Sequence, residues 1–481
     1  MRERLVPGSE IDGFRLGERV HAGAMGEIFH VTCIDPQRAG ANIPLVMKLP
    51  RVGPDQPTEG LISFETESMI LPALSGPHVP RFIAAGAIAR TPYVVIEWIE
   101  GESLESIRRR APLPAKEVAR IGAALADALH SLHRQDAIHH DLKPENVILR
   151  ANGEAALIDF GFAYHANYPD LLGEEKRYAA GSAPYISPEQ VFGIRSDPRS
   201  DLFALGVVLY ELATGRLPFG VPRTQAGLRD RLWLDPMPPS QRNADCPPWL
   251  QEVILRCLEP RADDRYPSAA HVAFDLRHSD QVPLTMRARK SRQAGFFAQV
   301  RRWWRARRKR IAPRRTPRRF ITATPIIMVA VDTMHPSDPR QPVIQRTTAR
   351  ILSHSADFRL VCVSVIRGLP TVEGPTLAES ASGMHLEHFT RLRHWVEPLR
   401  LPPQRLSLHV IESLSPADAI LDFARRNHAD LIVLGAPGPD ERALAWWRSV
   451  ASSVTASAPC SVHVVRIPER ERGNDADSLG V

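Results

Sequence analysis

Residues 139–149 read "HHDLKPENVIL": two histidines, then a carboxylate, a lysine and an amide at Asp141, Lys143 and Asn146, on a polar loop that runs straight into an apolar strand. Three hydrophilic side chains at fixed short spacing ahead of a buried strand hold polar chemistry against a hydrophobic wall. The second histidine, His140, is the residue whose presence needs explaining.

Upstream, "FRLGERVHAGAMGEIFHV" from Phe14 alternates apolar and polar residues, passes through small residues and resumes alternating, which predicts two strands joined by a turn. Gly23 and Gly26 in that turn allow backbone amides to approach phosphate oxygens. "PLVMKLP" then places Lys48 on a strand, and "SFETESMILPAL" reads as a helix carrying Glu67, whose carboxylate suits the Lys48 ammonium; Glu65 is the competing partner. Downstream come "ALIDFGFA" with Asp159, then "GSAPYISPEQ" and "RSDLFALGVVLYELATGRLPF".

In this order the motifs resemble the protein-kinase family, in particular bacterial serine/threonine kinases with eukaryotic-like catalytic domains. The resemblance implies a bilobal α+β fold over residues 11–280 and transfer of the ATP γ-phosphoryl group to protein Ser or Thr hydroxyls. It implies Asp141 as base and Lys143 as neutraliser of the transferred phosphoryl, with Asn146 and Asp159 as ligands of Mg2+. Gly23, Gly26 and Lys48 would hold the phosphates, with Glu67 orienting Lys48. Ile28, Val46 and Ile148 would enclose the adenine, the Glu97–Ile99 backbone would bond it, and Ile96 would line the back. Glu189 with Arg265, and Asp201 with the catalytic-loop backbone, read as architectural contacts, and Ser182 as a hydroxyl orienting Asp141 and Lys143.

Two residues depart from the family's pattern. An arginine usually precedes the catalytic aspartate and binds a phosphate on the activation loop; here His140 stands there, and residues 162–181 contain no serine or threonine. The two absences together imply activity that does not wait on Ser/Thr phosphorylation of this loop, while Tyr164, Tyr168 and Tyr178 leave another form of control open. His21 occupies the place of the first glycine of the phosphate loop. The rival reading is a nucleotide-binding pseudokinase scaffold, against which stand Lys48, Asp141, Asn146 and Asp159.

The chain has 481 residues, 43% hydrophobic and 24% charged, enough for two or three separately cored domains. No apolar run reaches the ~20 residues that span a bilayer, and "MRERLVPGSE" lacks a secretory core, so a cytoplasmic location is expected. Cysteines 33, 246, 257, 362 and 460 are scattered without a CxxC pair, which predicts reduced thiols and no zinc site. Between Thr285 and Phe320 there are fifteen Lys or Arg and no acid, against +7 for the whole chain, so the remainder is net acidic. This stretch reads as a basic linker over 281–320. Within it Phe297, Val300, Trp304 and Ile311 recur at helical intervals among arginines, a pattern suited to an anionic membrane surface through 287–319, and equally to docking on a neighbouring domain; nucleic acid uses the same residue types.

Beyond it, "TPIIMVAVD", "FRLVCVSVI", "RLSLHVIE", "ADLIVLG" and "CSVHVV" are near-continuous apolar strands separated by amphipathic helices, the pattern of an α/β parallel sheet covered on both faces. Residues 321–468 resemble a universal stress protein domain through "MVAVD", "ADLIVLGAPG" and "SVASSVTASAPCSVHVVR". The resemblance implies a second nucleotide site at Asp332, Gly435, Gly438 and Ser449, in which Arg448 replaces the family's third glycine, and a sensor or homodimerisation role. Residues 469–481 read as a disordered tail.

Overall fold

The computed structural model describes residues 6–22, 26–34, 43–50, 58–86, 92–175, 181–222, 224–292, 325–354, 358–366, 387–402, 405–436 and 445–466. Gly23, Gly438, the 297–311 amphipathic stretch and the 469–481 tail lie outside them, as do the side chains of Arg448 and Ser449. The chain divides into two units, residues 1–321 and 322–481.

In the first unit a six-stranded sheet has the spatial order Glu10–Ile11, Phe14–Ala22, Gly26–Cys33, Leu45–Pro50, Tyr93–Glu97, Phe82–Gly86. The two strands expected from Phe14 are Phe14–Ala22 and Gly26–Cys33, paired antiparallel, and Lys48 sits on the next strand, Leu45–Pro50. A Cβ on Gly26 would collide with the Leu49 carbonyl across the ladder, so only glycine fits where the strand leaves the turn. Phe14, Leu16, Phe29, Met47 and Val95 form a core on one side of this sheet. The helix Thr58–Ile70 carries Glu67.

The larger lobe is built on helices Ala115–His133, Arg199–Thr214, Pro248–Cys257 and Ala269–Arg277. Their apolar faces share one core with the strand Val147–Leu149 that follows the catalytic loop. Helix Arg199–Thr214 is buried along almost its whole length, and Gly215 in the left-handed conformation (φ +68°) ends it.

The chain does not leave this lobe at residue 280. Buried Glu252 accepts from the backbone N–H of Thr285 and of Ala288, each at 3.0 Å, and from Arg287 Nη1 at 3.1 Å. Arg287 Nε reaches Glu259 at 2.7 Å and Lys290 Nζ reaches Asp235 at 2.6 Å. Gln251 Nε2 donates to the carbonyls of Arg287, Ala288 and Lys290. Arg287 and Lys290, two of the first cations of the basic stretch, are therefore paired with acids of the lobe.

The second unit is a five-stranded, all-parallel sheet, in spatial order Leu406–Glu412, Arg359–Ile366, Ile326–Ala330, Leu431–Gly435, Ser461–Val465. The central strand is buried throughout, as expected of a sheet covered on both faces. Helices Arg340–Ser353, Pro416–Arg426 and Ala445–Ser457 accompany it. Among the described residues no helix is long and apolar enough to cross a membrane. Cys246, Cys257 and Cys362 are buried thiols.

Candidate active site

The loop 139–146 is held from below by one carboxylate. Asp201, at the start of helix Arg199–Thr214, accepts from the N–H groups of His139 and His140 at 2.9 Å each and from His133 Nε2 at 2.8 Å. Burial opposes its charge, but the bond from His133 and the surrounding histidines outweigh it and hold the carboxyl down at about 2. The first histidine, His139, ties the loop to the next motif: its Nε2 lies 3.2 Å from the Ile158 carbonyl and its ring packs on Phe160, centroids 5.1 Å apart.

On this frame the polar side chains of the opening motif converge. Asn146 Nδ2 donates to the Asp141 carbonyl at 2.9 Å and to Asp141 Oδ2 at 3.1 Å, so its own Oδ1 is the end able to ligate. Lys143 Nζ lies 2.9 Å from Asp141 Oδ2 and 2.9 Å from Ser182 Oγ. Asp141 Oδ1 accepts from the Ser182 backbone N–H at 2.6 Å, so Ser182 meets the lysine through its hydroxyl and the aspartate through its main chain. Asp141 is only 2% exposed.

Opposite lies the charge pair from the smaller lobe. Lys48 Nζ is 2.5 Å from Glu67 Oε1 and 4.0 Å from Asp159 Oδ1; Glu65 makes no part of the pair. Burial works against the Lys48 charge, and the two carboxylates overcome it, raising the ammonium above its ordinary value. Burial likewise opposes the charge of Asp159, and Lys48, His139 and Lys143 hold it below the usual carboxylate range. Glu67 Oε1 also accepts from the Phe160 N–H at 3.4 Å, joining the helix to the strand end that bears Asp159. A Cβ at Gly161 would meet the Ser63 hydroxyl of that helix, so a larger residue there would force Ser63 to move. Asp159 itself adopts φ +68°, a left-handed backbone that aspartate tolerates better than most residues.

Val46 and Ile96, neighbours across the sheet, are buried beside Ile28. Ile148 stands on the Val147–Leu149 strand, and Ile99 is buried beyond Glu97. The Glu97 and Trp98 N–H groups bond the carbonyls of Arg81 and Pro44. Thus Lys48, Glu67, Asp141, Lys143, Asn146 and Asp159 are brought together.

A protein kinase domain model matches residues 16–275, and a universal stress protein family model matches residues 324–466. The chain belongs to the protein kinase family. It is 32% identical over 280 residues to the serine/threonine-protein kinase PknB of Mycolicibacterium smegmatis, a match covering 56% of this chain and 44% of that protein. It is 30% identical over 239 residues to a probable serine/threonine-protein kinase of Clostridium perfringens, covering 49% of this chain and 35% of that one. The chain thus corresponds to less than half the length of either relative. The PknI kinase domain of Mycobacterium tuberculosis is 23% identical, with a TM-score of 0.42, over 58% of this chain and 99% of that one.

His140 answers the opening question in part. It is 4% exposed with φ +63°, and its Nε2 donates to the Arg195 carbonyl at 2.6 Å. Burial first, and the Arg195 charge second, push its pKa down to about 4. Below the ordinary 6.5 the unfolded chain takes up a proton that the folded kinase refuses until about 4, so stability falls as pH drops through that window and rises with pH within it. At pH 5 the loss from this group is about 2 kcal/mol relative to pH 8. His140→Asn keeps a side chain that tolerates positive φ and can donate to the same carbonyl. Urea unfolding at pH 5 and 8 should show the variant losing about 2 kcal/mol less than wild type; equal losses would exonerate His140.

The motif spacing did not disclose Arg195, Asp170 or Gln190. Gln190 Nε2 donates to the His140 carbonyl at 3.0 Å while its Oε1 accepts from Ser187 N. In the second unit Asp332 and Gly435 lie at or just beyond the carboxyl ends of neighbouring parallel strands. The Asp332 carboxylate turns back on its own loop, accepting from Met334 N at 2.9 Å and facing His335 Nδ1 at 2.9 Å.

Proposed function

We propose that this protein transfers the γ-phosphoryl group of ATP to serine or threonine hydroxyls of protein substrates. The observation that carries the reading is that Lys48, held by Glu67 and 4.0 Å from Asp159, stands near the bonded set of Asp141, Lys143 and Asn146, with the Lys143 charge acting on Asp159. Asp141 Oδ2, bonded to Lys143 and Asn146, is the acceptor for the substrate hydroxyl proton. Lys143 neutralises charge on the phosphoryl in flight, and Lys48, held by Glu67, binds the α/β phosphates. Gly23 and Gly26 bring the turn's backbone to the phosphates. With the Glu97 and Trp98 amides engaged inside the lobe, the Ile99 N–H is the donor for the purine edge, between Ile28, Val46 and Ile148.

Asn146 Oδ1 and the Asp159 carboxylate are hard oxygen donors that fit Mg2+, a cation commonly held by one or two protein oxygens with phosphate and water completing the set. When bound, it would neutralise phosphate charge. The 321–468 domain is read as a regulatory partner in stress signalling, either sensing nucleotide at Asp332 and Gly435 or forming a homodimer. Anionic membrane contact through 287–319 is a separate expectation, reduced by the two cations already paired with the lobe.

The test is incorporation of label from γ-labelled ATP into the full chain and into a generic basic protein, with Asp159→Asn as control. Label in wild type and its loss in the variant are expected. No label in either, with nucleotide still bound, would establish the scaffold reading instead.

A further inference from the structure

The arginine that His140 replaces has a counterpart from another part of the fold. Arg195 lies in the turn after the short helix Pro188–Val191 and is 8% exposed. Its carbonyl takes the His140 bond, and its guanidinium points the other way, into the segment after Asp159. Arg195 Nε contacts Asp170 Oδ1 and Oδ2 at 2.9 and 3.1 Å, and Nη2 donates to the carbonyls of Phe162 and Ala163 at 3.0 and 3.1 Å.

Asp170 has a second task. Its Oδ1 accepts from Gly173 N at 3.1 Å and so opens the helix Leu171–Glu175. Leu172 of that helix is buried in a small cluster with Phe162 and with Ile62 of the helix that carries Glu67. One carboxylate therefore stands between the backbone just beyond Asp159 and an apolar contact on the Glu67 helix.

We propose that Arg195 and Asp170 are positioning residues for phosphoryl transfer, a permanent guanidinium–carboxylate clamp that holds residues 160–172 in the working geometry without any phosphate on the loop. The clamp explains why residues 162–181 manage without serine or threonine and why a neutral histidine suffices before Asp141. A guanidinium needs an anion to hold it; a carboxylate supplies one from the moment of synthesis, where a phosphate must be added. A second cation beside the same pair, at position 140, would only repel Arg195. The proposal rests on the phosphoryl-transfer reading of the site.

The test uses the full chain as wild type, Asp170→Asn, Arg195→Met, the conservative Asp170→Glu and the reversed pair Asp170→Arg with Arg195→Asp. Steady-state transfer to a generic basic protein and amide hydrogen exchange over 160–175 are both followed. Misplacing a reacting group by about 1 Å costs up to about 100-fold. Asp170→Asn and Arg195→Met should each lower kcat about 10- to 100-fold, with KM for ATP within about threefold. Exchange over 160–172 should quicken about tenfold in both. Recovery of kcat in Asp170→Glu or in the reversed pair, with exchange slowed again, supports the clamp. It is overturned if kcat stays within about twofold of wild type in both single variants, or if exchange over 160–172 does not change. Exchange needs no activity, so a wild type that transfers no phosphate would defeat the kinase reading and leave the clamp to be decided by exchange alone.

Discussion

Asp141→Asn should leave a folded protein that still binds ATP and transfers its γ-phosphoryl group about 10^3-fold more slowly. Two effects add. The amide cannot take the hydroxyl proton, a loss that general-base catalysis puts at about 10^2 to 10^4. The substitution also inverts local polarity: Oδ2 accepts from Lys143 Nζ and Asn146 Nδ2, both obligate donors here, and an amide nitrogen in that place faces them with hydrogens of its own. Asn146 would keep its bond to the residue 141 carbonyl and lose the one to the side chain, which loosens the oxygen proposed to face the metal. ATP contacts made by Lys48 lie on the other lobe, so the dissociation constant for ATP should move less than about threefold while kcat collapses. Single-turnover transfer together with equilibrium nucleotide binding measures both. A variant with more than a tenth of wild-type kcat would remove Asp141 from the role of base.

Much of this site was legible because each part is signalled within a few residues. Asp141, Lys143 and Asn146 share one loop, Asp159 and Gly161 one turn, and Lys48 a strand whose alternation is plain. Even Glu67 could be preferred to Glu65, by its spacing to Leu74, and it is Glu67 that pairs with Lys48. The parallel sheet of the second unit was visible for a similar reason: its central strand, Ile326–Ala330, is buried on both faces and apolar at every position, and its neighbour Arg359–Ile366 is nearly so.

What escaped is what tertiary approach creates. Asp170 and Arg195 are 25 residues apart on irregular chain, and nothing in their spacing marks them as partners. The sequence suggested that the task of the missing arginine had vanished with it; in the structure a guanidinium still grips the loop, supplied from the far side of His140. The start of the basic stretch was misleading in a different way. A run of Lys and Arg reads as a solvated connector, but Glu252, Glu259 and Asp235 converge on residues 285–290 only after the helices of the larger lobe have packed. Charge patterning along a chain cannot show complementarity across it.

Arg265→Ala, which breaks a pair the sequence did suggest, is the most destabilising single change expected outside the catalytic residues. Arg265, 3% exposed, forms a two-pronged pair with Glu189, Nη1 to Oε1 at 2.6 Å and Nη2 to Oε2 at 2.8 Å. It also satisfies the carbonyls of Glu259, Arg199 and Pro260, and lies 5.0 Å over the Phe203 ring. Truncation would leave Glu189 charged in the interior with only the Ser200 hydroxyl at 3.0 Å and would take a donor from three carbonyls. Breaking one partner out of a buried pair costs about 3–5 kcal/mol, chiefly through the charge left behind. The loss should appear in calorimetry as a lowered unfolding temperature for the kinase unit. Because Glu189 belongs to the short helix that also presents Gln190 to the His140 carbonyl, transfer activity should fall in the surviving folded fraction too. Pairing Arg265→Ala with Glu189→Ala removes the stranded charge and should recover at least 1 kcal/mol or so of the loss. If the double variant is as unstable as the sum of the two single ones, the lost hydrogen bonds to the three carbonyls, and not the buried charge, set the cost.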